Sequence, residues 1–407
     1  MADDGAQGMT MAADFRRHDE PTHQVPLSAL FLVLLRLGLT AFGGPAMVAY
    51  IRDVAVRKKR WLSEESFADG AALCQSIPGA TAMQVAAYVG LRARGARGAL
   101  ATFVGFGLPA FVLMVALSGV YQVSRDLQPV ASAFRGLHVI VVALVANAVV
   151  TFGRSSIKNW RDTILACGAA TFLFLRGSPI LAIVAAAAVG ALLYRGTNLP
   201  MRPVHAAGQP TGRRSIHLVL VALIAGGASL AVFFMANRPL FDLATVMVKV
   251  DLFAFGGGFA SVPVMLHQVV DVRNWMDNRT FMDGIALGQV TPGPIVITAT
   301  FVGYRIAGLL GAVVGTVAIF SPSFLMVLIT VPYLDRLQNA LLFRRALRGV
   351  LASFVGLLLA VTVHFAVAAS WTVPSILLAA AAFVAFWFKV DILWVVLAGA
   401  GVSVFVL

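Results

Sequence analysis

Leu-Gly-Leu-Thr-Ala-Phe-Gly-Gly-Pro (Leu37–Pro45) returns later in the chain as Val-Asp-Leu-Phe-Ala-Phe-Gly-Gly-Gly (Val250–Gly258), 213 residues separating Gly43 from Gly256. The correspondence continues outward. Trp61 matches Trp275, and Phe67-Ala68-Asp69-Gly70 matches Phe281-Met282-Asp283-Gly284, at an offset of 214. Gln75-Ser76-Ile77-Pro78-Gly79 matches Gln289-Val290-Thr291-Pro292-Gly293 in the same register. The offset returns to 213 for Val89-Gly90 against Val302-Gly303, Pro109 against Pro322 and Arg135-Gly136 against Arg348-Gly349. One residue inserted between the glycines and the tryptophan explains the slip. So many ordered matches at nearly one offset mark a duplication: the chain is two copies of one unit.

The solvent for that unit follows from composition. Of 407 residues, 59% are hydrophobic and 12% charged, and the mean hydropathy is +0.88. A soluble domain carries about twice that share of charge, so a bilayer fits and water does not. The 37 glycines suit close approach of membrane helices. The net charge of +13 would suggest nucleic acid in a soluble chain. Here the cations sit in short loops between apolar runs, as topology signals do, which argues against nucleic acid. Cys74 and Cys167 stand alone in apolar runs and offer no metal spacing or disulfide framework. No metal or other cofactor is expected, and no HExxH, Walker or GxSxG motif points to an enzyme.

About thirteen transmembrane segments are expected in an all-α polytopic membrane protein: 27–51, 66–91, 98–122, 136–152, 163–175, 179–194, 216–236, 239–270, 281–304, 308–333, 349–369, 372–388 and 392–407. Residues 1–26 read as a disordered cytoplasmic tail, 27–195 as the first repeat, 196–238 as a basic loop with a linking helix, and 239–407 as the second repeat. An odd number of crossings between equivalent points makes the repeats inverted, a plan that places a transport site near the midplane. With the N-terminus cytoplasmic, most basic loops fall inside. The exception is Arg52, Arg57, Lys58, Lys59 and Arg60, which would lie outside unless 66–91 re-enters. Placed outside, the run Arg57–Arg60 would make either an electropositive vestibule or a solvated loop paired with Glu64 and Glu65.

The helices are broken at matched places. Gly43, Gly44 and Pro45, and Gly256, Gly257 and Gly258, interrupt the first helix of each unit. Gln75–Gly79 and Gln289–Pro294 interrupt the second, and Pro292, Gly293 and Pro294 are hard to fit in a continuous helix. Non-helical backbone at membrane depth survives where it is buried or lines a cavity. A helix restarting there presents free N–H groups and a positive dipole end, which bind oxyanions. Gln75, Ser76, Thr81, Gln289, Thr291 and Thr298 would add neutral donors beside Pro78 and Gly79. Packing kinks are the plainer explanation for any one break; their duplication favours a site. Arg36 and Lys249 occupy equivalent positions before the glycines and join the candidate path, unless they snorkel or Asp251 neutralises Lys249. Gly95 and Gly98, with Gly308 and Gly311, read as helix-packing glycines. His138, His217, His267 and His364 are scattered; His138 or His364 is a candidate for carrying a coupled proton.

These residues together resemble the chromate ion transporter family (CHR, ChrA type) in its long two-domain form: the doubled Phe-Gly-Gly (Phe42–Pro45, Phe255–Gly258), Trp61 and Trp275, Phe-x-Asp-Gly, and Gln-x-x-Pro-Gly. The first unit departs from the pattern with Ala80 where the second has Pro294. The resemblance implies a multi-pass protein of the bacterial inner membrane that exports chromate, conferring resistance through secondary transport driven by the proton motive force or membrane potential. A potential of 100 mV, negative inside, favours exit of a dianion by ~4.6 kcal/mol. Import of sulfate or another oxyanion, and a non-transporting sensor, are the competing readings. The expected partners are a chromate- or sulfate-like dianion, lipid, and a second copy in a homo-oligomer.

Overall fold

The computed structural model describes residues 25–42, 46–195, 213–333 and 340–406. Among them are fifteen α-helices and no strand. Five helical stretches are long and apolar enough to cross a bilayer: Thr81–Ser124, Gln128–Ser156, Val219–Ala236, Ile295–Tyr333 and Leu341–Ala368. The expected count of thirteen crossings does not follow from them, because several of the other apolar segments fold back on themselves.

The first unit holds α1 (Leu27–Thr40), α2 (Ala46–Arg52, extended by a π turn to Lys58), α3 (Glu64–Ser76), α4 (Thr81–Ser124), α5 (Gln128–Ser156), α6 (Trp160–Phe174) and α7 (Pro179–Leu193). α8 (Arg213–Ala236) links it to α9 (Arg238–Leu252), α10 (Ser261–Leu266), α11 (Asn278–Val290), α12 (Thr298–Thr330), α13 (Leu341–Ala368), α14 (Val373–Trp387) and α15 (Ile392–Val406). The breaks read from sequence recur in both units. α3 stops at Ser76 and α4 starts at Thr81, with Gly79 at φ +121° between them. α11 stops at Val290 before Gly293 at φ +132°. Such φ values cost an L side chain about 1–3 kcal/mol, which is why glycine stands there.

These breaks are the tips of hairpins. Tyr88 donates to the carbonyl of Ser66 at 2.9 Å, so residues 81–93 run back along α3. α4 itself turns at Arg94 and Gly95 (φ +63°). A Cβ on Gly90 would lie 2.2 Å from the Gly98 carbonyl oxygen, and one on Gly107 would lie 2.8 Å from Met83 Cε. Residues 96–124 therefore return antiparallel to 81–93. Gly98 packs as expected, but Gly95 makes the turn. In the second unit Thr300 and Thr316 hydroxyls meet at 2.7 Å across the equivalent turn at Gly308 (φ +57°). The expected segments 66–91 and 281–304 are thus hairpins rather than single straight helices, since a Cβ on Gly284 would lie 2.5 Å from the Phe301 ring just as one on Gly70 would lie 2.0 Å from the Tyr88 ring.

The segment 239–270 folds back too. Asp242, near the start of α9, pairs with Arg273, beyond the end of α10, at 3.0 Å, which closes the mouth of a hairpin whose tip is Phe255–Gly258. In the first unit Arg94 donates to the Val25 carbonyl at 2.8 Å and Arg52 pairs with Glu64. The entry to α1, the exit of α2 and the turn of α4 therefore share one face. Arg57–Arg60 joins Arg92–Arg97 on that face, and the exception to the charge rule disappears.

The units interlock tip to tip. Gly79 N–H donates to the Ala254 carbonyl at 2.9 Å, and Gly293 N–H donates to the Ala41 carbonyl at 3.1 Å. Equivalent residues thus make reciprocal bonds across the unit boundary. The long helices exchange partners in the same way: α13 packs on α6 and α7, while α5 packs on α14 and α15. Small residues permit it. A Cβ on Gly356 would lie 1.8 Å from the Ala166 carbonyl oxygen, a backbone atom that cannot turn aside. Gly356→Ala is expected to separate α13 from α6 and lower the unfolding free energy by about 1–3 kcal/mol. Titration of the detergent-solubilised chain with a denaturing surfactant measures this; a native midpoint would contradict the packing.

Candidate functional site

A cavity of about 1040 Å³ runs from the hairpin tips to the face that carries Arg52, Lys158 and Arg344. Ten of the residues singled out at the breaks line it: Gln75, Ser76 and Thr81 from the first unit, and Gly256, Gly257, Gly258, Gln289, Thr291, Gly293 and Pro294 from the second. Gly256 and Gly257 sit at φ +93° and +105°, so the backbone faces the cavity with no Cβ in the way. Thr81 begins α4 and Ile295 begins the short turn into α12, and both line the cavity. Two N-terminal helix ends therefore border it.

The donors are fewer than the sequence suggests. The Ser76 hydroxyl donates to the Ala72 carbonyl at 2.8 Å, Thr291 to Gly288 at 2.9 Å and Thr298 to Ile295 at 2.8 Å. Those protons serve their own helices. Gln289 differs: its Nε2 is buried in the cavity wall with no hydrogen-bond partner. A buried amide donor without an acceptor is costly, and an anion in the cavity would satisfy it.

Other expected residues lie elsewhere. Pro78 accepts from Gln84 Nε2 at 2.6 Å, and Gly79 is committed to Ala254. Both brace the tips behind the cavity wall, and Pro292 does not line the cavity either. Arg36 and Lys249 are exposed on the helix flanks, away from the cavity. Lys249 does not neutralise Asp251, which is buried and accepts from Ser323 N–H at 2.8 Å and from its hydroxyl at 2.7 Å. Gly43, Gly44 and Pro45 lie outside the described residues.

Four cations that sequence reasoning treated as loop charges reach the cavity instead: Arg52, Lys158, Arg344 and Arg348. Arg348 is held bidentate by Asp162 at 3.0–3.1 Å, the geometry that fixes a guanidinium plane. Lys158 Nζ donates to the Arg154 carbonyl at 2.9 Å. No carboxylate belongs to the described lining residues. Nearby on the same face, the Lys58 ammonium bonded to Asp53 holds that carboxyl below its usual range. The signal for these cations was present, since all four follow or precede apolar helices, but a one-dimensional reading cannot tell a loop charge from a vestibule charge.

A cation-rimmed cavity at glycine breaks can admit an anion. The family model for chromate transporters matches residues 28–191 and again 241–404. The chain belongs to the chromate transporter family. It is therefore a multi-pass membrane transport protein and not an enzyme. It is 43% identical over 371 residues to an uncharacterized transporter of Methanocaldococcus jannaschii, covering 90% of this chain and 91% of that one. It is 34% identical to a chromate transport protein of Pseudomonas aeruginosa over 88% of this chain and 86% of the other. A chromate transport protein of Cupriavidus metallidurans is 29% identical over 89% and 88%. No solved structure matches the chain.

Proposed function

We propose that the protein exports chromate from the cytoplasm across a bacterial inner membrane, with sulfate as a competing dianion, and that the proton motive force or membrane potential drives it. The observation that carries the reading is the cavity: four cations, of which Arg52 and Arg348 are paired with Glu64 and Asp162, two helix N-termini and an unpaired amide donor around about 1040 Å³, with no carboxylate among the described lining residues. The face on which it opens gathers the basic loops, which makes that face cytoplasmic by the positive-inside rule. A dianion entering there meets attraction, and the potential favours its exit on the other side. On this reading residues 27–195 and 239–407 are oppositely inserted units, joined by the basic loop and helix of 196–238.

The path passes the tips. Gly257 lets the anion approach the backbone, and Gln289 supplies a neutral donor that binds without holding the ion as a full counter-charge would. Everted vesicles should accumulate chromate without ATP, and excess sulfate should compete. Gly257→Ala adds a Cβ at φ +105° and is expected to reduce that uptake by about 5- to 150-fold, since strain of about 1–3 kcal/mol falls on the tip. Accumulation confined to right-side-out vesicles would replace export with import. No accumulation of either anion in either orientation would remove the transport reading.

A further inference from the structure

We infer that His138, Asp283 and Tyr121 form a proton-binding latch that shuts the transport path on the face opposite the open cavity. The inference rests on the transport reading and adds to it the residues that bind the proton.

The three side chains come from both units. His138 lies on α5, Tyr121 near the end of α4, and Asp283 on α11. His138 Nε2 is 2.6 Å from Asp283 Oδ1, and the Tyr121 hydroxyl donates to Oδ2 at 2.7 Å. His138 and Asp283 are each 7% exposed. The Tyr121 ring packs edge-on against Phe134 and Phe301, each at 5.2 Å between centroids. The contact therefore ties α5 to the second re-entrant hairpin of the other unit, behind an aromatic seal.

The repeat shows what this contact does. Leu351 on α13 holds the place of His138 on α5, and Phe67 and Ala72 on α3 hold the places of Phe281 and Ala286 on α11. Leu351 and Ala72 line the open cavity and are half-buried, whereas their counterparts His138 and Ala286 are 7% and 1% exposed; Phe67 and Phe281 are both buried. One architectural half is open on one face, and its inverted counterpart is shut on the other. Alternating access exchanges these two arrangements. At these positions the shut half has a His138–Asp283 hydrogen bond where the open half has Leu351.

The contact can sense protons because imidazole changes charge near neutral pH. With His138 protonated, Asp283 has a buried counter-ion and the halves are held together. Without that proton, Asp283 is a buried carboxylate facing a neutral ring, and an arrangement that hydrates it is favoured. The proton therefore shuts this face, and its loss opens it. Surrounding charges are few. Asp277 caps α11, Arg279 follows it, Arg305 stands beyond the second hairpin, and Thr280 reaches Tyr121. Arg135 is bonded to Ser132 on α5, and α13 carries His364. α14 and α15 pack on α5 without a titratable side chain.

Ala286→Cys in a Cys167→Ser background places a thiol beneath the latch; Cys74 is buried. The full chain in vesicles is treated with an impermeant maleimide from the Asp126 side. Rates are normalised to an Asp126→Cys thiol, a site 90% exposed on that face. Labelling of Ala286→Cys should rise at least tenfold from pH 6 to pH 8. It should be high and flat with His138→Gln added, and keep its pH dependence with Tyr121→Phe. Flat labelling without the latch substitutions, or an unchanged pH dependence in His138→Gln, would overturn the latch. Labelling needs no substrate. A normal pH response with no chromate movement would therefore refute the transport reading alone, and flat labelling with active transport would refute the latch alone.

Discussion

Asp162→Asn is expected to lower the unfolding free energy by about 3–5 kcal/mol, because it leaves one charge of a buried pair without its partner. Asp162 is 0% exposed at the start of α6. Its carboxylate accepts from Arg348 Nε and Nη2 at 3.1 and 3.0 Å, from the Tyr194 hydroxyl, and from the backbone N–H groups of Lys158 and Asn159 at 2.9 and 3.0 Å. Five donors converge on two oxygens. Asparagine keeps one acceptor and turns an amide N–H₂ towards a set in which only the Tyr194 hydroxyl can accept, the Arg348 and backbone N–H groups being donors alone. The damage is long-range, since Arg348 lies on α13 of the other unit and the pair docks the α6–α7 hairpin against it. Surfactant-induced unfolding followed by helical circular dichroism measures the loss. Asp162→Leu combined with Arg348→Met should recover much of it, as an apolar pair replaces a buried ionic one without orphaned charge. A single-variant midpoint within about 0.5 kcal/mol of native, the range of an ordinary surface change, would mean the pair does not dock the units.

Asp162 and Arg348 also show where sequence reading ends. The repeat was legible, down to a one-residue slip, because a duplication writes itself into both copies. From it followed the matched breaks at Gly79 and Gly293, and the structure ties those breaks together through reciprocal bonds to Ala254 and Ala41. Direction was not legible. An apolar run such as 66–91 has the same composition whether it crosses or turns at Ile77–Ala80, and only the Tyr88–Ser66 contact distinguishes the two. The misplaced charge cluster at Arg52–Arg60 was the sequence's own warning of that turn. Partner choice was hidden as well: α5 leaves its own unit to pack on α14 and α15, and no local pattern encodes a swap. Among candidate site residues, the glycines and glutamines were found because breaks attract attention. Arg344 and Arg348 were missed because cations beside apolar helices are ordinarily topology signals.

Gln289→Leu should weaken binding of chromate, and of sulfate as its redox-inert counterpart, by about 10- to 100-fold. A hydrogen bond to a charged acceptor is worth roughly 1.5–3 kcal/mol, and each 1.4 kcal/mol is a factor of ten. The sign of the stability change makes the prediction specific. Gln289 Nε2 is buried in the cavity wall without a partner, so an unliganded chain loses nothing when leucine replaces it and gains apolar contact. Affinity should fall while the stability of the ligand-free protein holds or rises. A residue that merely supports the wall would show the opposite pair, with stability falling and affinity following it only through misfolding. Gln75 occupies the equivalent place in the first unit and also lines the cavity, but it is more exposed. A donor already served by water gives up less on losing the anion, so Gln75→Leu should cost less than Gln289→Leu. Calorimetric titration of the solubilised chain with sulfate, beside surfactant unfolding of the same samples, reads both quantities. Native affinity in Gln289→Leu would remove the amide from the site and leave the cations and helix ends to bind the anion alone.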